Sequence, residues 1–419
     1  MEIKDVFVKY IKKHFCSRWR IVAFCLVAGL LLSNAILGAV MNSIVSGLPE
    51  FLLADRWSEK NDMAQVSIYT TEDQIIDQDS IKRFDYMLEK KLSEAGVDDP
   101  DDDSAMAGPK VVDTIGIDEM NKDSKEEDAP LNERKGIRKL YSISYCAQGQ
   151  VSITFENRTA DKVAAIGCGG DFFLFHPMEF VTGAPFTGDE LMKDSIVIDE
   201  DLAWQLFGST DIIGQMVTIG NVPHYVTGVV KRDTGKLKKA AGLDKSYVYM
   251  SYESLSIYGL ILSGRTVSQE ISEMGTKAEN GGINCIEVVC PNSVKGMAAR
   301  VCKESLGVDD AFVEVIDNTD RFSFFSLMKV ISGYGTRSMW NKAIYYPYWE
   351  NVARGYEDIL ATILMLRIAF VSVVVILITV SIINAYRKKT WTVRSVIKTL
   401  AEKKYDLEAE HQKKKCIDA

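Results

Sequence analysis

Residues 202–217 read LAWQLFGSTDIIGQMV, and residues 218–230 continue as TIGNVPHYVTGVV. Leu202, Ala203, Leu206 and Phe207 fall on one face of a short helix. Gly208 follows as its C-cap, a position where positive φ is cheap only for glycine. Residues 211–214 make a turn in which Gly214 needs an unusual backbone, and Met216, Val217 and Ile219 open a strand. Gly228 sits inside the next β-branched run. Leu206, Phe207, Gly208, Gly214 and Gly228 are therefore fold-determining positions. The stretch holds no nucleophile, metal cluster or phosphate loop.

The surroundings are rich in short strands. LYSISYC (140–146), QVSITFEN (150–157), DKVAAIGC (161–168), SIVID (195–199), QMVTIG (215–220), HYVTGVV (224–230) and SYVYMSY (246–252) are β-branched runs around a helix over residues 200–207. They predict an inserted strand-rich α+β lobe over about 140–255. Outside it lie two βα units. AQVSIYTT (64–71) alternates like a strand and precedes a helix with Ile81, Phe84, Leu88, Leu92 and Ala95 as its stripe, Ser80 as its cap and Gly96 as its stop. Residues 284–316 read as strand, helix, strand, with Val294, Met297, Val301 and Leu306 on the helical face. The two units, about 64–139 and 283–320, would pair as a split βαβ subdomain. Within the first unit, after its helix, residues 97–130 form an acidic, exposed loop. Its DDPDDD run lacks the alternating ligands and central glycine of an EF-hand.

Farther out, composition changes. Residues 21–49 carry no charge, and neither do residues 368–386. A bilayer core about 30 Å thick needs roughly 20 apolar residues in helix. We expect one membrane helix at 21–46, an uncleaved signal anchor, and a second at 358–386. The net charge is −9, but residues 1–20 carry six Lys/Arg against Glu2 and Asp5, and residues 387–419 carry ten against five acids. The middle of the chain is therefore −18. Positively charged flanks stay in the cytoplasm, so both termini are expected inside and residues 47–357 outside the plasma membrane. Residues 1–20 carry apolar spacing suited to a basic amphipathic helix on the inner leaflet, or form an ordinary basic flank; residues 387–419 form a basic cytoplasmic tail. Arg367 lies eight residues into the apolar segment that begins at Ile359, so it either snorkels or contacts another helix or partner. Trp340, Tyr345 and Trp349 precede the second span and are candidate membrane or partner contacts, as an aromatic belt or packed on the ectodomain.

No reaction centre is legible. The nearest approach to a phosphate loop, Gly228 to Gly235–Lys236, has a gap of six followed by Leu237. His176 and His224 are isolated, which suits structural roles better than a triad or metal site. CIEVVC (285–290) has no histidine nearby. Five cysteines (Cys146, Cys168, Cys285, Cys290, Cys302) lie in the expected outer part, where at most two bridges form and one thiol is left over. No enzyme activity, cofactor, metal or nucleic-acid partner is expected.

The stretches GGDFFLFHPMEFVTGAPFT, SIVIDEDLAWQLFGSTDIIGQMVTIGNVPHYVTGVV and YVYMSYESL resemble the extracytoplasmic core domain of MacB/FtsX-type ABC transporter permeases, a resemblance that covers about residues 163–252. The resemblance implies a MacB-like ectodomain; together with the two apolar runs that flank it, the expected fold is a membrane protein of α+β class with two transmembrane helices. The resemblance further implies a cytoplasmic ABC ATPase subunit and a permease-like membrane protein as partners, in a homo- or hetero-oligomer that performs mechanotransmission. Residues 387–404 would face that ATPase or anionic lipid. Members of the family have three spans after the ectodomain, whereas one follows here, which points to a shortened accessory subunit. The alternative is a stand-alone surface receptor that binds a peptide or envelope component.

Overall fold

The computed structural model describes residues 18–58, 62–74, 76–97, 136–188, 190–232, 235–263, 281–337, 342 and 344–387. The basic segment before residue 18, the acidic loop from residue 98, Trp340 and the tail beyond Arg387 lie outside the described residues. The chain divides into two units, Ser43–Thr362 and a second composed of Met1–Asn42 with Ile363–Ala419.

The second unit is helical. It holds most of α1 (Arg18–Ser46) and the C-terminal part of the long final helix, Tyr348–Arg387. Two stretches, Ile21–Ser46 and Tyr348–Asn384, are long and apolar enough to cross a membrane. Within this unit Arg367 Nε donates to Asn34 Oδ1 at 3.0 Å, and Nη1 lies 3.4 Å from Met41 Sδ. A Cβ at Gly38 would stand 3.2 Å from the guanidinium. Small and amide residues at this spot let a costly charge approach and find a partner.

The first unit, Ser43–Thr362, is built on one sheet. Its strands are β1 (Met63–Thr70), β2 (Ser142–Phe155), β3 (Arg158–Gly170), β4 (Phe180–Gly183), β5 (Ser195–Asp199), β6 (Met216–Ile219), β7 (Val222–Val230), β8 (Tyr247–Ser251), β9 (Leu260–Ile261), β10 (Cys285–Pro291) and β11 (Val313–Asp317). The order is β11-β1-β10-β2-β3-β8-β5-β7-β4, with β6 pairing both β2 and β7. The strand pairing departs from the sequence expectation in two places. Residues 140–146 and 150–157 are not two strands but one, β2, because the intervening Ala147, Gln148 and Gly149 stay paired to β3. The inserted lobe is also continuous with the split subdomain: β2 pairs β10 through Ser142–Cys146 and β6 through Ile153 and Thr154.

The pairings β2-β3-β8-β5-β7-β6-β2 close into a ring. Closure removes exposed edges, which explains how so many short strands are tolerated. Val151, Ile153, Val163, Ile196, Ile198, Val217, Ile219, Val226, Val248 and Met250 alternate into one core. A short helix, α2 (Gln78–Glu94), packs on the neighbouring sheet through Ile81, Phe84, Leu88 and Leu92. Its cap is Asp77 rather than Ser80: Asp77 Oδ1 accepts the Ser80 N–H at 2.9 Å. Gly96 closes it, with Val97 N–H returning to Leu92 O. Helix α3 (Glu200–Leu206) is capped by Asp199 and buries Leu202, Ala203 and Leu206. Tyr252, expected in a strand, instead opens helix α4 (Tyr252–Tyr258). Helix α5 (Met297–Leu306) buries Met297 and Val301, while Val294 precedes the helix and is exposed, so it is not part of the stripe.

In the opening stretch, Phe207 is half-buried against Phe155 at 4.1 Å between ring centroids. Gly208 has φ +72° and Gly214 φ +78°, and Gly214 N–H donates to Val226 O at 2.8 Å. At Gly228 a Cβ would come within 2.6 Å of the Phe180 ring.

Candidate functional site

Strand periodicity creates the site. β1 is paired on both edges and buried at all eight positions. Its Val66 and Ile68 join the core beneath α2 and α5, so Ser67 and Tyr69 face the other way. In register with them, β10 turns Cys285 and Glu287 to the same face. That face is covered by the first turns of α6 (Tyr348–Arg387), where Trp349, Glu350, Val352 and Ala353 are all buried. The expectation that Trp349 meets membrane or a partner is corrected here. The indole is 1% exposed and packs against Phe172 and His176. The helix that carries the expected span from 358 already begins at Tyr348, and its aromatic start packs in the core of the Ser43–Thr362 unit. Tyr345 stays exposed.

On α6, Glu350, Arg354 and Glu357 share one face by helical spacing. Arg321, in the turn after β11, reaches across to them. Its Nη1 and Nη2 donate to the two carboxylate oxygens of Glu350 at 2.7 Å each, Nε donates to Glu357 at 2.5 Å, and Nη1 also donates to Asn318 Oδ1 at 3.1 Å. Arg321 also lies over the Phe51 ring at 5.0 Å. Arg354 Nε donates to Glu350 at 2.8 Å and its Nη2 to Glu314 of β11 at 3.0 Å, with the guanidinium 3.9 Å from the Tyr346 ring centroid. Tyr346 hydroxyl donates to Glu314, and Arg337 pairs with Glu357. Burial by itself would lower the Arg321 pKa, but the carboxylates of Glu350 and Glu357 outweigh it and hold the guanidinium above its ordinary value. Tyr69, whose hydroxyl donates to Glu350 at 3.2 Å, is raised first by burial and then by that negative charge.

A second polar group continues the network. Glu287 accepts from Ser67 Oγ at 3.1 Å and holds His176 Nε2 at 2.5 Å. Asn318 Nδ2 donates to Ser67 Oγ at 2.7 Å, joining this pair to Arg321. A bidentate, multiply satisfied pair of this kind fixes one geometry, because any slip strands a charge in low dielectric. Its chemical capacity is to lock α6 onto β1, β10 and β11. His176 thus has a structural partner. His224 is likewise buried, with Nδ1 3.1 Å from Val222 O, and burial lowers its pKa.

Beside the network lies a cleft of about 300 Å³. Gln148, Gln150, Ala164, Tyr247, Tyr345 and Tyr348 are among the residues that line it. Its size matches small-ligand pockets. The five cysteines are buried free thiols, with Cys146 in register with both Cys168 and Cys285. Among the described residues no cluster of His, Cys, Asp or Glu suits a metal ion.

The fold-determining residues gather around the strand ring, and Arg367 lies in the helical unit; none of them enters the charge network. Sequence reasoning missed Arg321, Glu350, Glu357 and Glu287. The signals existed: Glu350, Arg354 and Glu357 stand at helical spacing, and Glu287 is a lone acid inside an apolar strand.

The family model described as the MacB-like periplasmic core domain matches residues 28–282. Among curated proteins, the chain is 35% identical over 96 residues to the Macrolide export ATP-binding/permease protein MacB of Chromobacterium violaceum, covering 20% of this chain and 15% of that protein. It is 25% identical over 174 residues to Macrolide export ATP-binding/permease protein MacB 2 of Aeromonas hydrophila subsp. hydrophila, covering 41% and 24%. The match thus spans less than a quarter of either relative. Among solved structures, the periplasmic region of MacB from Actinobacillus actinomycetemcomitans aligns at 13% identity with a TM-score of 0.33, covering 64% of this chain and 92% of that one. The extracellular domain of the ABC-type transporter YknZ from Gram-positive bacteria aligns at 20% identity and TM-score 0.29, covering 46% and 88%.

Proposed function

We propose that this chain, which belongs to the family of the MacB-like periplasmic core domain, is a non-catalytic membrane subunit that couples a separate cytoplasmic ABC ATPase to movement of its own ectodomain. The observation that carries this reading is the Arg321–Glu350–Glu357 lock. It ties the start of α6, the helix that also bears the apolar run 368–386, to three strands of the ectodomain sheet. A force on that helix would be delivered to β1, β10 and β11 instead of being lost at a loose joint. Both termini are cytoplasmic in this reading, from the charge of the flanks. The partners in this reading are an ATPase subunit and a permease-like membrane protein, by resemblance to the ATP-binding/permease proteins the chain is similar to.

Affinity purification of the full chain from its native membrane in mild detergent tests the assignment. A stoichiometric ATP-binding subunit and a second membrane protein are expected. A chain that purifies alone, without either, overturns it and favours the second reading, a stand-alone surface receptor. That second reading draws on the tyrosine-lined cleft, whose volume suits a small ligand.

A further inference from the structure

We propose that β10 is clamped by two disulfides, one from Cys285 to Cys146 of β2 and one from Cys290 to Cys302 of α5, with Cys168 left as the single thiol. β10 is buried at every position but its last, Pro291. Cys285 and Cys290 are an odd number of residues apart along the strand, so they point to opposite faces of the sheet. Cys285 lies in the cluster with Tyr69, Cys146 and Trp349, and Cys290 in the core beneath α2 and α5. In the antiparallel register Cys285 stands directly opposite Cys146. Opposite Cα atoms in such a pair are about 4.5–5.5 Å apart, inside the range of about 4.4–6.8 Å that a disulfide bridges. The two thiols are hydrogen-bonded to each other. On the other face the Cys302 thiol is hydrogen-bonded to Cys290, and both are fully buried. Cys168 also stands opposite Cys146, but its thiol donates to Ile166 O of its own strand at 3.5 Å.

An isolated buried cysteine is an ordinary small core residue. Here four of the five in this unit fall in touching pairs, and the matched family is a periplasmic core domain, a setting in which disulfides form and persist. The structure holds the sulfurs as thiols. Their oxidant is a disulfide, either small or carried by an oxidoreductase. One cysteine thiolate attacks it, forming a mixed disulfide and releasing one thiolate. The paired thiolate then attacks the protein sulfur, closes the bridge and releases the second. The two cysteine protons go to the two released thiolates, so each bridge consumes one oxidant disulfide and yields two thiols. In the folded chain burial first, then the bond with Cys146, pushes the Cys285 thiol up; the bond with Cys290, then burial, does the same to Cys302. Thiolate is the reacting form, so both bridges close while the chain folds, before β10 is covered. They carry load beyond the Arg321 lock, from β10 into the strand ring through β2 and from β10 to α5. The inference rests on the extracytoplasmic placement in the proposed function, not on ATPase coupling.

The test is peptide mapping of the full chain from its native membrane. Membranes are denatured in excess iodoacetamide, in parallel with and without prior reduction, and digested for mass spectrometry. Without reduction, peptides linking Cys146 to Cys285 and Cys290 to Cys302 are expected, with Cys168 alkylated; after reduction all five are alkylated. All five alkylated without reduction, or a link from Cys146 to Cys168, overturns the proposal. Labelling of Lys122 and Lys125 by an impermeant amine reagent in intact cells separates the clamp from the placement. Labelled lysines with reduced cysteines sink the clamp alone, and protected lysines with reduced cysteines remove it together with the placement outside.

Discussion

Replacing Arg321 by methionine keeps much of the stem's volume and deletes the guanidinium. The side chain is 3% exposed and donates four hydrogen bonds, three of them to carboxylates. Its loss leaves Glu350, which is wholly buried, with Arg354 and the Tyr69 hydroxyl alone. Breaking a buried ion pair by removing one partner costs about 3–5 kcal/mol. Because Arg354 remains, the lower end applies, about 3 kcal/mol. At roughly 2–3 °C per kcal/mol for a large domain, Arg321→Met should lower the Tm by about 6–9 °C. Thermal unfolding of the full chain in mild detergent, followed by tryptophan fluorescence, reads this, since Trp349 is packed beside the network. The double variant Arg321→Met, Glu350→Gln removes the stranded charge and should recover about 1.5 kcal/mol or more relative to additivity. A single-variant shift below about 2 °C, or strictly additive behaviour in the cycle, would refute the claim that this network locks α6 to the sheet.

Other outcomes are expected from the same principles. Gly208→Val and Gly214→Val place a β-branched residue at positive φ and should each cost about 1–3 kcal/mol in thermal unfolding, with any loss of partner binding no greater than the loss of folded protein. Asp77→Ala removes a helix cap and should cost about 1 kcal/mol near neutral pH. The hydrogen bonds from Ser80 hold the Asp77 carboxyl below its ordinary value, so its contribution is present above that value and fades as pH falls through the lower, folded one. A pH titration of wild type against Asp77→Ala should therefore converge in acid; a gap that widens there contradicts the assignment of the cap. Asn34→Leu strands the Arg367 guanidinium and should weaken the α1–α6 pairing by about 0.6–1.7 kcal/mol, measured against the double variant with Arg367→Leu. Cysteine labelling with an impermeant reagent should leave positions Lys4 and Lys413 protected in intact cells and modify the segment 98–128; a labelled tail removes the proposed topology.

Local features were legible because neighbours in sequence generate them. The glycine after Phe207, the stripe Ile81–Phe84–Leu88–Leu92 and the uncharged run over residues 21–49 each follow from helix geometry, backbone sterics or bilayer thickness. Where nearest-neighbour reasoning competes with pairing, it failed: Gly149 looked like a strand boundary but is held in β2 by β3, and Ser80 looked like a cap although Asp77, three residues earlier, accepts its N–H. Trp349 read either as a belt aromatic or as packed on the ectodomain, and the choice between them depends on β1 and β10, which lie far away in sequence.

The sequence alone therefore determined the membrane-suited helices, the β-rich middle, the turn glycines and the family signature, all properties of spacing and composition. The tertiary structure decided that the strands close into a ring continuous with the outer sheet. It also decided that Arg321 meets Glu350 and that Ser67, Glu287 and Asn318 join them. Those contacts bridge separations as large as 251 residues, from Ser67 to Asn318, and no local periodicity specifies which of two sheet faces a distant helix will cover. The charges survive burial only because the fold brings their partners within hydrogen-bond reach.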